Sequence, residues 1–266
     1  MYSNISGYKF IALDELETLR ENFRSLMLKH QLNGTIYVCH EGVNIALTGN
    51  IDDMKNFQSE LAEDERFQNI FFKESFSKER PFQKVVVKIK PEVIAMGIEN
   101  IDVSQGEGTH LEPEEFKQWL DQNDQDVVVL DTRNHYEFNA GTFANAINPN
   151  IETFKEFPEF VDSLPEEYKE KKVVIFCTGG VRCEKAAPMM KQKGFKNIYQ
   201  IHGGILNYLE KCGGAHWHGD CFVFDDRIAV NADLKETGAR VCDKCHNAVA
   251  AEYDACPYCV KQAIAN

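Results

Sequence analysis

Nothing in the 266 residues approaches the uninterrupted apolar length of about 20 that a membrane-spanning helix needs. The opening residues, Met-Tyr-Ser-Asn-Ile-Ser, carry no basic segment followed by an apolar one, so neither a span nor a secretory leader is expected. The expected location is cytoplasmic. No dinucleotide glycine fingerprint occurs, and no two histidines and a carboxylate are spaced as an iron-binding set, so neither a nucleotide nor an iron cofactor is expected. Positive charge is in deficit: 29 Lys and Arg stand against 42 Asp and Glu, a net of −13 that opposes indiscriminate binding to a polyanion. Nine cysteines are an odd number, four of them fall in Cys-x2-Cys pairs, and nothing signals export; reduced thiols or metal ligands are expected rather than a disulfide scaffold.

The average charge conceals two basic stretches. Lys169 to Lys196 holds eight Lys or Arg against two acids, and Lys73 to Lys90 holds six against two. Each is either a solvated face or a surface for an anionic substrate.

The chemistry is concentrated between Lys172 and Gln192. The β-branched run Lys-Val-Val-Ile-Phe ends in Cys177-Thr178-Gly179-Gly180-Val181-Arg182-Cys183, after which Ala-rich sequence resumes helical character. Strand, loop and helix are expected in that order. Such a loop turns successive N–H groups toward the sulfur above a helix N-terminus, which lowers a thiol pKa and holds a thiolate or an anionic adduct. Arg182 is expected to close this ring with a fixed cation. Cys183 is either a small packed residue beneath the loop or a second thiol able to resolve a persulfide.

Upstream, Tyr8 to Leu13, Gly34 to Cys39, Val43 to Thr48, Phe71 to Lys73 and Val85 to Ile89 read as strands. Helices from Asp14 to His30, with Asp14 as cap, and from Asp52 to about Leu61 fall between them. The order is βαββαβ, that of ferredoxin-like and acylphosphatase-like folds, and it leaves one sheet face open to dock a partner or to read RNA through Tyr8, Phe10 and Tyr37. Gly97, Ser104, Gln105, Gly106 and Gly108 mark a linker. Pro113 then opens a helix whose buried side carries Phe116, Trp119 and Leu120, and Asp126 to Leu130 is a continuous apolar strand of the buried parallel kind.

That strand ends in Asp131-Thr132-Arg133 with Tyr136-Glu137 following; with the Cys-x4-Arg loop and His202-Gly203-Gly204, it resembles the rhodanese superfamily, whose loop cysteine carries a persulfide. Phosphatase relatives have loops one residue longer, so the resemblance favours sulfur over phosphate. Asp131 and Arg133 are expected to brace the loops at the strand ends. The expected fold class is α/β: an N-terminal ferredoxin/acylphosphatase-like domain over 1–96, a linker over 97–112, a rhodanese-like parallel-sheet domain over 113–211 and a small Cys-rich extension over 212–266.

A plain rhodanese ends before that extension. Trp217-x-Gly219-x-Cys221-Phe-Val-Phe-Asp225-x-Arg227, together with Gly34-Thr-Ile-Tyr-Val-x-x-Glu41-Gly-Val-Asn44 and Cys177-Thr-Gly-Gly-Val-Arg-Cys-Glu-Lys185, resembles the bacterial tRNA uridine hydroxylase family over nearly the whole chain. The resemblance implies oxygen-dependent conversion of a wobble uridine to 5-hydroxyuridine, with tRNA as partner, molecular oxygen as cosubstrate and Cys177 as the essential residue. The residues alone say persulfide chemistry on an anion, and leave open a rhodanese-type sulfurtransferase acting on thiosulfate or a protein persulfide. In the tail, Cys242-x2-Cys245 and Cys256-x2-Cys259 are spaced to present four thiolates tetrahedrally to a structural zinc. His216, His218, Cys212 and Cys221 are a weaker metal set, better explained as turn and core residues.

Overall fold

Alternating apolar and polar residues build the first of two units into which the chain divides, Met1–Ala95 and Met96–Asn266. The computed structural model describes residues 1–98, 101, 103 and 108–260. Ser104, Gln105 and Gly106 of the expected linker lie outside the described residues.

In the first unit the order is β1 (Tyr2–Phe10), α1 (Leu16–Lys29), β2 (Asn33–Cys39), β3 (Gly42–Asn50), α2 (Ile51–Leu61), β4 (Lys73–Ser77) and β5 (Val85–Ile89). The sheet runs β4-β1-β3-β2-β5, the split βαβ arrangement with β5 added parallel to β2 at one edge. Its core face holds Ile5, Ile36, Val38, Val43, Ile45 and Leu47 under α1 and α2. By the same alternation the other face carries Tyr2, Tyr8, Phe10, Tyr37, Lys88 and Lys90.

Three sequence expectations are corrected here. β1 begins at Tyr2 rather than Tyr8, because its polar start is satisfied in place: Ser3 donates to Glu74 at 2.5 Å, Asn4 to Ser77 at 3.0 Å, and Thr48 to Asn4 at 2.7 Å. Asp14 does not cap α1; the cap position is Glu15, in left-handed conformation and without a side-chain cap bond. The strand expected at Phe71 starts at Lys73, and Phe71 is exposed.

The second unit comprises β6 (Thr109–Leu111), α3 (Pro113–Gln122), β7 (Val127–Asp131), α4 (His135–Ala140), β8 (Gly141–Phe143), α5 (Phe157–Asp162), β9 (Lys172–Phe176), α6 (Val181–Gln192), β10 (Asn197–Ile201) and α7 (Gly204–Cys212). Its parallel sheet has the order β6-β10-β9-β7. β7 and β9 are adjacent, so Asp131 and Phe176, their last residues, are paired and both following loops leave the same sheet end.

Beyond α7 the chain returns to this core. β11 (Trp217–Gly219) pairs with β8, and Phe116, Phe176, Tyr208 and Trp217 meet the Phe143 ring edge-on at 4.7–5.2 Å. Two hairpins follow, β12 (Cys221–Phe222) with β13 (Ala229–Val230), and β14 (Arg240–Val241) with β15 (Ala248–Val249). Among the described residues no helix is long and apolar enough to cross a membrane.

Candidate active site

The loop after β9 closes over its own sulfur. Cys177 is 1% exposed, and the N–H of Gly180 donates to its Sγ at 3.1 Å. Gly180 has φ +101, a left-handed conformation that glycine adopts without strain, and α6 starts immediately after it at Val181. From the other side α7 holds the loop, with N–H of Ile205 donating to O of Cys177 at 3.0 Å and N–H of Leu206 to O of Thr178 at 3.1 Å. The approach is so close that a Cβ on Gly204 would stand 2.4 Å from the Cys177 carbonyl oxygen, which is the physical demand behind Gly203-Gly204. A Cβ on Gly179 would meet nothing within 4 Å, so the outer side of the loop has room for a substrate.

Three buried thiols near this loop differ in charge state. Burial pushes the Cys177 thiol up, but the Cys183 hydrogen bond, the Arg182 charge and the N–H groups of Arg182 and Gly180 outweigh it and bring the pKa down to about 6. Burial pushes Cys183 well up, reinforced by the Cys177 thiol it serves, with Thr132 Oγ1 3.8 Å from its sulfur. Cys221 is pushed up to about 12, mainly by burial. Cys177 is therefore a thiolate at neutral pH while its neighbours remain protonated.

The Arg182 cation acts on the sulfur through its charge and its N–H, and its guanidinium also pairs with Glu137: Nη2 donates to Oε1 at 3.0 Å, and Nη1 lies 2.9 Å from Oε2. Burial disfavours the cation, yet the Glu137 carboxylate and the Cys177 thiolate hold it charged, above its ordinary pKa. Glu137 is fully buried in α4, accepts the N–H of Asn134 at 3.2 Å, and lies 3.5 Å from Thr178 Oγ1. Glu137 is a site residue beyond those expected from the sequence, and the Tyr-Glu step after Asp-x-Arg is the pattern that marks it.

Asp131 and Arg133 are fully buried and clamp the adjacent strand end. The carboxylate accepts Arg133 N–H and Nε at 2.9 Å and Nη2 at 2.6 Å, and the same Nη2 reaches Gly141 O at 2.6 Å. The same Asp-x-Arg fold recurs at Asp64–Arg66 and at Asp225–Arg227. Arg133 thus ties the β7 loop to β8, and through β8 to the extension.

At the tail, Cys242, Cys245, Cys256 and Cys259 lie within 4.8 Å of one another, the one such group of metal-ligating side chains among the described residues. Sulfur separations are 3.8 Å for Cys242–Cys259 and 3.5 Å for Cys245–Cys256, matching the ~3.8 Å edge of a tetrahedron with ~2.3 Å metal–sulfur bonds. The donor set fits a metal. The second set disperses: His216 pairs with Asp121 at 2.7 Å, and Cys221 is a core residue.

A model described as UPF0176 acylphosphatase like domain matches residues 2–93, and one described as Rhodanese-like domain matches residues 112–211. Over 231 residues the chain is 48% identical to the tRNA uridine(34) hydroxylase of Legionella pneumophila (strain Lens), covering 86% of this chain and 90% of that protein. The chain belongs to the tRNA uridine(34) hydroxylase family. A second hydroxylase-family member, from Cupriavidus pinatubonensis (strain JMP 134 / LMG 1197), is 42% identical over 270 residues, covering 97% of this chain and 96% of the relative. The hydroxylase family's likeness therefore includes the segment beyond α7, where the rhodanese match stops.

Proposed function

We propose that this protein hydroxylates C5 of the wobble uridine of tRNA, with molecular oxygen as cosubstrate and Cys177 as the nucleophile or persulfide carrier. Full-length likeness to the tRNA uridine(34) hydroxylases is the observation that carries the reaction class. The lowered thiol of Cys177 supports the choice of residue. In the reaction C5–H becomes C5–OH: one atom of dioxygen enters the ring, the other leaves as water, and two electrons and two protons come from a thiol-class reductant that becomes a disulfide.

The residues divide the work. Backbone N–H groups of Gly180 and Arg182 keep the Cys177 sulfur anionic, and Cys183 donates its proton into the same hydrogen bond. Thr178, Gly179 and Val181 shape the loop; Asp131 and Arg133 fix the strand end beneath it. Residues 1–96 serve as a docking domain, 97–112 as linker, 113–211 as the catalytic domain and 212–266 as an extension in which Cys242, Cys245, Cys256 and Cys259 would hold zinc. Four thiolates would leave no open position on that ion, so its role would be structural. The sulfurtransferase reading is not favoured by the relatives' names.

The test is nucleoside analysis of unmodified tRNA incubated with the pure protein and a small-molecule thiol under air and under argon, with wild type and Cys177→Ser. 5-Hydroxyuridine is expected only with wild type under air. Equal product from Cys177→Ser would remove the assignment.

A further inference from the structure

Phe224 is 57% exposed although its neighbours Phe222, Val223 and Arg227 are all buried. Single exposed apolar residues are ordinary, but this one stands at the cysteine loop. The Arg182 guanidinium lies over its ring, 5.7 Å from the centroid, and Arg182 is the loop residue that lends its charge and N–H to Cys177. Behind it the ring is supported edge-on by Phe222 at 5.3 Å, itself packed edge-on against Tyr136 at 5.2 Å.

The backbone beneath the ring is fixed. Val223 N–H donates to Ile228 O at 2.9 Å, and Asp225 accepts Arg227 through N–H at 3.0 Å, Nε at 2.9 Å and Nη2 at 2.6 Å. A rigid hairpin tip thus leaves the Phe224 ring largely exposed with the buried Arg182 guanidinium over it, next to a loop with open space over Gly179. Unpaired nucleotides are held by stacking on aromatic side chains, and an anticodon loop is unpaired.

We propose that Phe224 is a stacking platform that receives the pyrimidine ring of an unpaired nucleotide and holds it beside the Cys177 loop. It is a substrate-positioning residue, and the assignment rests on the reading of the chain as an RNA-modifying enzyme.

The experiment uses the full chain and two anticodon stem-loop RNAs, one with uridine at the wobble position and one abasic there. Stacking is worth about 1–3 kcal/mol per base, so Phe224→Leu is expected to weaken binding of the uridine RNA about 5- to 160-fold, with Phe224→Tyr within a few-fold of wild type. Indole emission added by Phe224→Trp is expected to quench with the uridine RNA and much less with the abasic one. Alkylation of Cys177 in Phe224→Leu should match wild type, which separates stacking from support of the loop. Equal quenching by the two RNAs, undiminished affinity of Phe224→Leu, or a fall in Cys177 alkylation parallel to the fall in affinity overturns the proposal. An abasic-sensitive quench with no 5-hydroxyuridine from wild type would support the platform and remove the hydroxylase reading instead.

Discussion

At the scale of the residue, reactivity is set by which thiol keeps its proton. Cys177 and Cys183 share one buried hydrogen bond, and the asymmetry comes from backbone: Gly180 and Arg182 N–H groups serve the first sulfur alone. Alkylation of Cys177 by a small reagent should therefore rise with pH through a midpoint near about 6, not near the 9.0 of an ordinary thiol. Below that midpoint the thiolate is protonated and the rate falls. Cys183→Ala withdraws the donor and should move the midpoint upward; an unchanged profile would mean that Cys183 is only packing. Cys177 was legible as the central thiol because glycines and a strand-to-helix transition surround it. The Glu137–Arg182 pair was not, since Glu137 is 45 positions distant in the chain and only the adjacency of β7 and β9 brings their loops together.

Among elements, α4 is too short to be stable alone, six residues long yet carrying Glu137. It is secured from the tail. Tyr258 Oη donates to Asn139 O at 2.7 Å, and Asn139 Nδ2 donates to Asn247 Oδ1 at 2.7 Å, so the cysteine-bearing tail is tied to α4, whose Glu137 pairs with Arg182 of α6. Tyr258→Phe is expected to lower stability to denaturant by about 0.5–1.5 kcal/mol, the net worth of one hydrogen bond, while the four thiols react as in the wild type. A denaturation midpoint identical to wild type would disconnect the tail from α4. The helix and strand identities were readable from periodicity, as at β9 and α6, whereas the start of β1 was hidden because its polar side chains find partners only in β3 and β4.

For the whole molecule, charge reads differently in sequence and in space. Of the basic stretch from Lys169 to Lys196, Lys169, Lys172, Arg182 and Lys193 are ion-paired with Glu166, Asp124, Glu137 and Asp162, acids outside the stretch. Lys185 is buried. Of the stretch from Lys73 to Lys90, Arg80 lies over Tyr2 at 5.1 Å and Lys90 over Tyr37 at 5.4 Å, on the sheet face that carries those rings, while Lys73 is buried. If RNA docks on that face, Lys90→Gln should weaken tRNA binding and flatten its salt dependence by about 0.7–0.9 in the slope of log K against log salt, one phosphate contact. Lys196→Gln, whose cation is held by Glu170 at 2.6 Å, should leave the slope unchanged. The reverse order of effects would return the RNA to the rhodanese side.

The amino-acid order alone determined the two sheet-building patterns, the cysteine loop and the four-thiol tail, because each is a local matter of periodicity, glycine freedom or ligand spacing. Tertiary structure decided what those parts act upon. It gave Arg182 to Glu137, set the ring of Phe224 beside that cation, and ion-paired five of the eight cations of one basic run while setting Arg80 and Lys90 of the other over sheet tyrosines. Most of these outcomes depend on charges and rings far apart in the chain meeting in the fold, and a one-dimensional pattern contains no distances.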